Sequence, residues 1–124
     1  MPAQKPEECD ALFEKYVNEG NLEALVDLYE PEATLIPAPG QVAVGTEAIR
    51  VALKPMLDGG LKVKLNVTQT FTSGDIAACY NDWSGVAKGP NGDEMPFSGK
   101  AIEICRRQAD SSWKFAIDDP YARG

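Results

Sequence analysis

The chain has 124 residues, 44% hydrophobic and 25% charged, the make-up of one ordinary globular domain spanning residues 1–124. A net charge of −7 leaves no basic footprint for phosphates or anionic headgroups, which disfavours nucleic-acid and membrane-surface partners. Histidine is absent, which removes Ser-His-Asp and Cys-His catalysis and histidine-ligated metal sites, so acid–base chemistry falls to Asp, Glu, Tyr, Lys or Cys.

Over residues 7–19, Cys9, Leu12, Phe13, Tyr16 and Val17 form one helical face, with Glu7 and Glu8 suited to the positive N-terminal end. Gly20 ends this helix, and Asn21 caps a second one carrying Leu22, Leu25, Val26, Leu28 and Tyr29, which Pro31 is expected to stop. Residues 33–36 read as a short strand, and Pro37, Pro39 and Gly40 as a loop. Thr46 is placed to cap a third helix over residues 47–58, with Ile49, Leu53, Met56 and Leu57 as its apolar stripe and Pro55 as a kink or early stop.

The period then changes from helical to alternating. Leu61, Val63, Leu65 and Val67 alternate with Lys62, Lys64, Asn66 and Thr68, a half-buried strand that Phe71 extends. A turn at residues 73–75 leads into a strand over 76–86, a hairpin turn over 89–93 into a strand over 97–107, and a turn over 109–112 into a last strand over 113–118. The fold class is α+β: three N-terminal helices packed on a curved antiparallel sheet, with Gly85 and Gly99 available as bends. A sheet curled around the helices makes a cone with a pocket inside.

No apolar run reaches transmembrane length, and the first residues carry no hydrophobic leader core. Cys9, Cys79 and Cys105 are odd in number and widely spaced, fitting neither a disulfide framework nor a zinc site, so reduced, buried thiols and a cytoplasmic location are expected. Neither a P-loop nor a GxGxxG fingerprint is present, and no cofactor or metal is expected.

The stretches FEKYVNEGNLEALVDLYEPEATLIPAPG and VGTEAIRVAL, with the ending SGKAIEICRRQADSSWKFAIDDPY, resemble the ketosteroid isomerase-like, SnoaL-like members of the nuclear transport factor 2-like superfamily. The resemblance covers nearly the whole chain. It implies the cone-shaped, cystatin-like fold and a homodimer through the outer sheet face, but no single activity, since the superfamily holds isomerases, cyclases, dehydratases, epoxide hydrolases and non-catalytic modules. Steroid isomerases use a helix-1 tyrosine, an aspartate base after the first strand and a protonated aspartate on a later strand. Here those positions fall on Phe13, Pro37 and Glu103, so one of the three groups survives.

Glu103 is the leading catalytic candidate. Phe97, Gly99, Ala101, Glu103 and Cys105 share one strand face, which suits a pocket wall carrying a single desolvated acid. The competing reading is a solvent-facing glutamate paired with Lys100, Arg106 or Arg107. Tyr16, one turn from Phe13, aims its hydroxyl into the pocket or packs in the core. Asn81 and Trp83 share a face and line the pocket, with core or dimer packing as the other reading for Trp83. Asp118 and Asp119 lie on opposite faces by alternation, and Asp119 completes the ligand-binding set unless it only caps the turn before Pro120. Two functions compete: a module binding a small, partly hydrophobic molecule, and an enzyme doing acid–base chemistry on a small carbonyl or polyketide-like substrate with Glu103 as acid or base. A third reading is a structural dimer whose core is filled.

Overall fold

A computed structural model describes residues 2–124. Helix α1 runs over Glu8–Glu19, and Gly20 closes it in the left-handed conformation at φ 69°. Asn21 accepts a hydrogen bond from the Ala24 N–H and starts α2, which covers only Leu22–Val26. The expectation that Leu28 and Tyr29 continue this helix is corrected. Tyr29 already begins strand β1, Tyr29–Leu35, and the Leu28 carbonyl accepts from the Phe115 N–H at 2.8 Å. Pro31 therefore sits inside a strand rather than at a helix end. The pairing of β1 is irregular between Tyr29 and Thr34, the kind of gap that tolerates a residue without an N–H.

After the two-residue strand β2, Ala43–Val44, helix α3 spans Thr46–Asp58. Its cap is Gly45 at φ 90°, not Thr46, which is already helical, and Pro55 lies within the last turn without ending the helix. Four long strands follow: β3, Lys62–Ser73; β4, Ile76–Lys88; β5, Glu94–Arg107; and β6, Trp113–Asp119.

These four form the expected antiparallel meander, but the complete sheet is mixed. Its order is β2-β1-β6-β5-β4-β3, and β1 joins β6 in parallel. The helices cover one face. On the β3 edge, the Val63 N–H donates to Asn18 at 2.8 Å and the Leu65 N–H to Glu14 at 2.7 Å, so side chains of α1 satisfy backbone groups that an open edge would expose. The core between the layers includes Val17, Leu25, Ile49, Leu53 and Phe115, with all three thiols free and buried.

Two irregularities shape the sheet. In β3 an extra residue, Thr68, separates the Val67–Asn81 and Gln69–Tyr80 pairs. In β6 Ala116 is extra between Phe115, paired with Cys105, and Ile117, paired with Ile104. Each bulge bends its strand and reverses the in–out alternation beyond it. Gly99 has a different role from the expected bend: a Cβ there would lie 2.7 Å from the Trp83 ring and 2.8 Å from the Pro120 carbonyl oxygen. The glycine makes room for the indole to cross β5.

Candidate functional site

The centre of the concave sheet face carries acids where a core would carry hydrocarbon. Glu103 lies in mid-β5, directly between Cys79 on β4 and Asp118 on β6. It is 3% exposed, and the solvent-facing reading with Lys100, Arg106 or Arg107 as partner is overturned. Arg106 pairs instead with Glu30, and Arg107 with Asp75.

Three neighbours surround Glu103. Asn81 donates from Nδ2 to Glu103 Oε2 at 2.5 Å, and the same nitrogen lies 3.4 Å from Asp10 Oδ1. Asp10 reaches in from the first turn of α1 and is 1% exposed. Asp118 accepts from the Tyr29 hydroxyl at 2.6 Å, and Tyr29 packs on Phe115 with ring centroids 5.1 Å apart. Asp10 Oδ2, Asn81 Oδ1 and Glu103 Oε1 are buried, and none of them receives a hydrogen bond from an N–H or hydroxyl donor.

Such a cluster cannot hold three charges without water. Burial, then the charge of Asp10 and a hydrogen bond shared with it, pushes Glu103 well above the usual carboxylate range. Burial raises Asp10 to about 6, against the lowering effect of its bond with Glu103. Burial raises Asp118 to about 7, opposed by the Tyr29 hydroxyl and assisted by the charges of Asp10 and Asp119. At neutral pH Glu103 therefore holds a proton and donates it toward Asp10, while Asp118 stands at the edge of ionisation.

Glu103 and Asp118 open onto a cavity of about 70 Å³. The rest of its wall is apolar or aromatic, including Phe13, Pro37, Trp83, Phe97 and Tyr121. The three positions aligned with the steroid isomerase set thus line one cavity, with Phe13 and Pro37 chemically inert there. Trp83 is held by donating from Nε1 to the Pro120 carbonyl at 2.7 Å and by edge-on contacts with Phe97 and Tyr121.

The other sequence candidates separate. Asn81 stands behind Glu103 and orients it without forming part of the cavity wall. Tyr16 does not join the site. It lines a separate cleft with Leu28, Trp113 and Lys114. Asp119 points away and accepts from the Tyr121 N–H at 3.1 Å, the turn-capping alternative. The bulge explains the exchange. Unbroken alternation from Trp113 and Phe115 would bring Asp119 inward, whereas the extra Ala116 brings Asp118 in beside Glu103. Asp10 and Tyr29 also escaped the sequence reading. Asp10 had left a signal, a carboxylate one turn before Phe13 and two before Val17 on the packed stripe.

Among the described residues no group of three or more Cys, Asp or Glu is arranged to hold a metal ion, and no helix is long and apolar enough to cross a membrane. The profile of the SnoaL-like domain matches residues 10–115. The chain belongs to the SnoaL-like domain family.

Solved structures repeat this SnoaL-like architecture at low identity. A ketosteroid isomerase-like protein from Erwinia carotovora atroseptica superposes with a TM-score of 0.80 at 18% identity, covering 92% of this chain and 90% of that one. A nuclear transport factor 2-like superfamily protein from Salmonella enterica gives 0.78 at 16%, covering 94% and 89%. A nuclear transport factor 2-like protein with a cystatin-like fold from Novosphingobium aromaticivorans gives 0.76 at 17%, covering 91% and 76%. These likenesses establish the cone-shaped α+β fold. No curated protein matches the chain.

Proposed function

We propose that this SnoaL-like protein binds a small, partly hydrophobic molecule in the cavity walled by Phe13, Trp83 and Phe97, anchored by the carboxyls of Glu103 and Asp118. The observation that carries this reading is the pairing of two buried acids, side by side on adjacent strands, with an otherwise apolar wall. A few convergent polar groups in an apolar hollow are the usual composition of a ligand site. The test is a fragment screen read by NMR at the Trp83 indole N–H and the Ala101 amide. Saturable shifts at both, weakened by Trp83→Ala, are expected. Shifts confined to residues outside the cavity would reject the reading.

The second reading is an acid–base enzyme, favoured by the unequal protonation of Glu103 and Asp118. Neighbouring acids held in different states can serve as proton donor and acceptor across one substrate. Proton transfer beside a carbonyl fits this arrangement, with Glu103 hydrogen-bonded to the carbonyl oxygen and Asp118 taking the proton. The steroid isomerase mechanism is not carried over, since its tyrosine and base positions hold Phe13 and Pro37. Deuterium exchange into the α-carbon of a bound small ketone, abolished by Asp118→Asn, is the expected signature of catalysis.

The resemblance also supports a homodimer through the outer sheet face, where Phe71, Ile76 and Ile117 are exposed. Three free thiols support a reducing, cytoplasmic setting.

A further inference from the structure

Among the described residues the acids facing the cavity have no cation. Glu103 and Asp118 stand directly opposite each other across β5 and β6, a position where two like charges repel. Among the described residues, the titratable groups packed against them are acidic or neutral: Asp10 on α1 with Glu7 before it, Tyr29 on β1, Cys79 on β4, and Asp119 beyond Asp118. Helix α3 and strand β3 contribute only apolar side chains to the cavity, among them Leu53, Met56, Val63 and Leu65. Among the described residues no Lys or Arg lines it. Arg123 lies on the opposite face of the sheet, where it pairs with Asp82 at 3.1 Å and rests over the Tyr80 ring.

A second observation points to an occupant. Glu103 and Asp118, each 3% exposed, both form part of the cavity wall. The same wall presents the rings of Phe13, Trp83, Phe97 and Tyr121. Carboxylates together with aromatic rings are the surroundings that stabilise a desolvated organic ammonium, by charge-assisted hydrogen bonds and by attraction to the ring faces.

We propose that the ligand of this cavity is a small aliphatic or aromatic amine, bound as its ammonium between Glu103 and Asp118 with its hydrocarbon part against Trp83 and Phe97. This rests on the ligand-binding reading above and names the chemical class of the ligand. In the free protein, protons neutralise the acids. The ammonium replaces them, so binding ionises a carboxyl and releases its proton to solvent. Asp118, at about 7, is the group that yields first. Amine affinity therefore rises from pH 5.5 to pH 8, while the affinity of a neutral analogue does not. A dry apolar cavity of about 150 Å³ admits benzene, so the enclosed part of this one takes a smaller group, such as an aminoalkyl chain whose far end extends into the mouth.

The experiment compares n-butylamine, 1-butanol, 2-butanone and butyrate on the intact protein, in about 150 mM salt to screen attraction of cations to the acidic surface. Binding is read from Trp83 indole and Ala101 amide shifts. Expected at pH 8 is a preference of about ten-fold or more for the amine over the alcohol, and no binding of butyrate. Lowering the pH to 5.5 should reduce amine affinity about ten-fold. Glu103→Gln and Asp118→Asn should each lower amine affinity about ten-fold, more than they lower alcohol affinity, and unchanged amide shifts away from the cavity show that the variants are folded. If the alcohol or the ketone binds as tightly as the amine, the ammonium proposal is overturned and the cavity reading stands. If none of the four probes shifts these resonances, both are overturned.

Discussion

Asp118 concentrates the electrostatics of the site into one side chain. Its carboxyl is raised to about 7 from an ordinary value near 3.8, chiefly by burial. Below about pH 4 both folded and unfolded chains bind the proton, and the folded state is not penalised. Between about 4 and 7 the folded chain keeps the proton that the unfolded chain has lost, so stability falls as pH rises. Asp118 alone should make the protein about 2–3 kcal/mol more stable at pH 5 than at pH 8, and Glu103 and Asp10 act in the same direction. Urea titrations at the two pH values check this, and Asp118→Asn should flatten the difference. Tyr29→Phe should push Asp118 higher still, because the lost hydroxyl favoured the ionised form, and should cost about 1–2 kcal/mol at pH 8. The carboxyl carbon shift of Asp118 against pH measures the first effect and urea unfolding the second. Gly99→Ala tests packing rather than charge. Its Cβ would collide with the Trp83 ring and the Pro120 carbonyl, so a loss of about 1–3 kcal/mol and a changed tryptophan emission are expected.

At the scale of elements, most strands and helices were legible because their apolar periods are long and clean. Helices α1 and α3 and the four-stranded meander follow from counting alone. What failed was local phase. Tyr29 was assigned to α2 because its spacing from Leu25 and Leu22 is helical, while its actual partner, Phe115, lies 86 positions away in sequence. Phase failed again at the bulges, which no run of residues announces. Thr68 turns Phe71 onto the outer face, and Ala116 turns Asp118 inward in place of Asp119. Glu103 was legible because its neighbours on the strand are small or apolar. Asp118 was not, because its position depends on a register set by β5. Deleting Ala116 should remove the bulge yet leave Ile117 outward and Asp118 inward, so Asp118 keeps its titration at about 7. A carboxylate NMR titration of the deletion variant checks this, and a raised Asp119 with Asp118 in the ordinary range would overturn it.

At the scale of the whole molecule, the bulge in β3 places Phe71 against Tyr80 on the outer face, with ring centroids 5.6 Å apart, and Ile76 and Ile117 are exposed on the same side. A sheet face of this kind is costly to leave in water. The expected homodimer should appear by sedimentation equilibrium, and Ile117→Glu should convert it to monomer while leaving the cavity resonances in place. The inner side of the molecule holds its own reporter. Cys9 comes from α1, Cys79 and Cys105 from β4 and β5, all three are buried in the core, and Cys9 Sγ donates to the Trp113 carbonyl of β6 at 3.4 Å, tying the helix to the sheet. A water-soluble alkylating reagent reaches them only when α1 lifts away. Labelling kinetics of the unmodified protein would therefore time the breathing of the cone without an engineered probe. Equal rates at the three positions would mark a single cooperative opening, and one rate far ahead of the others would locate the hinge.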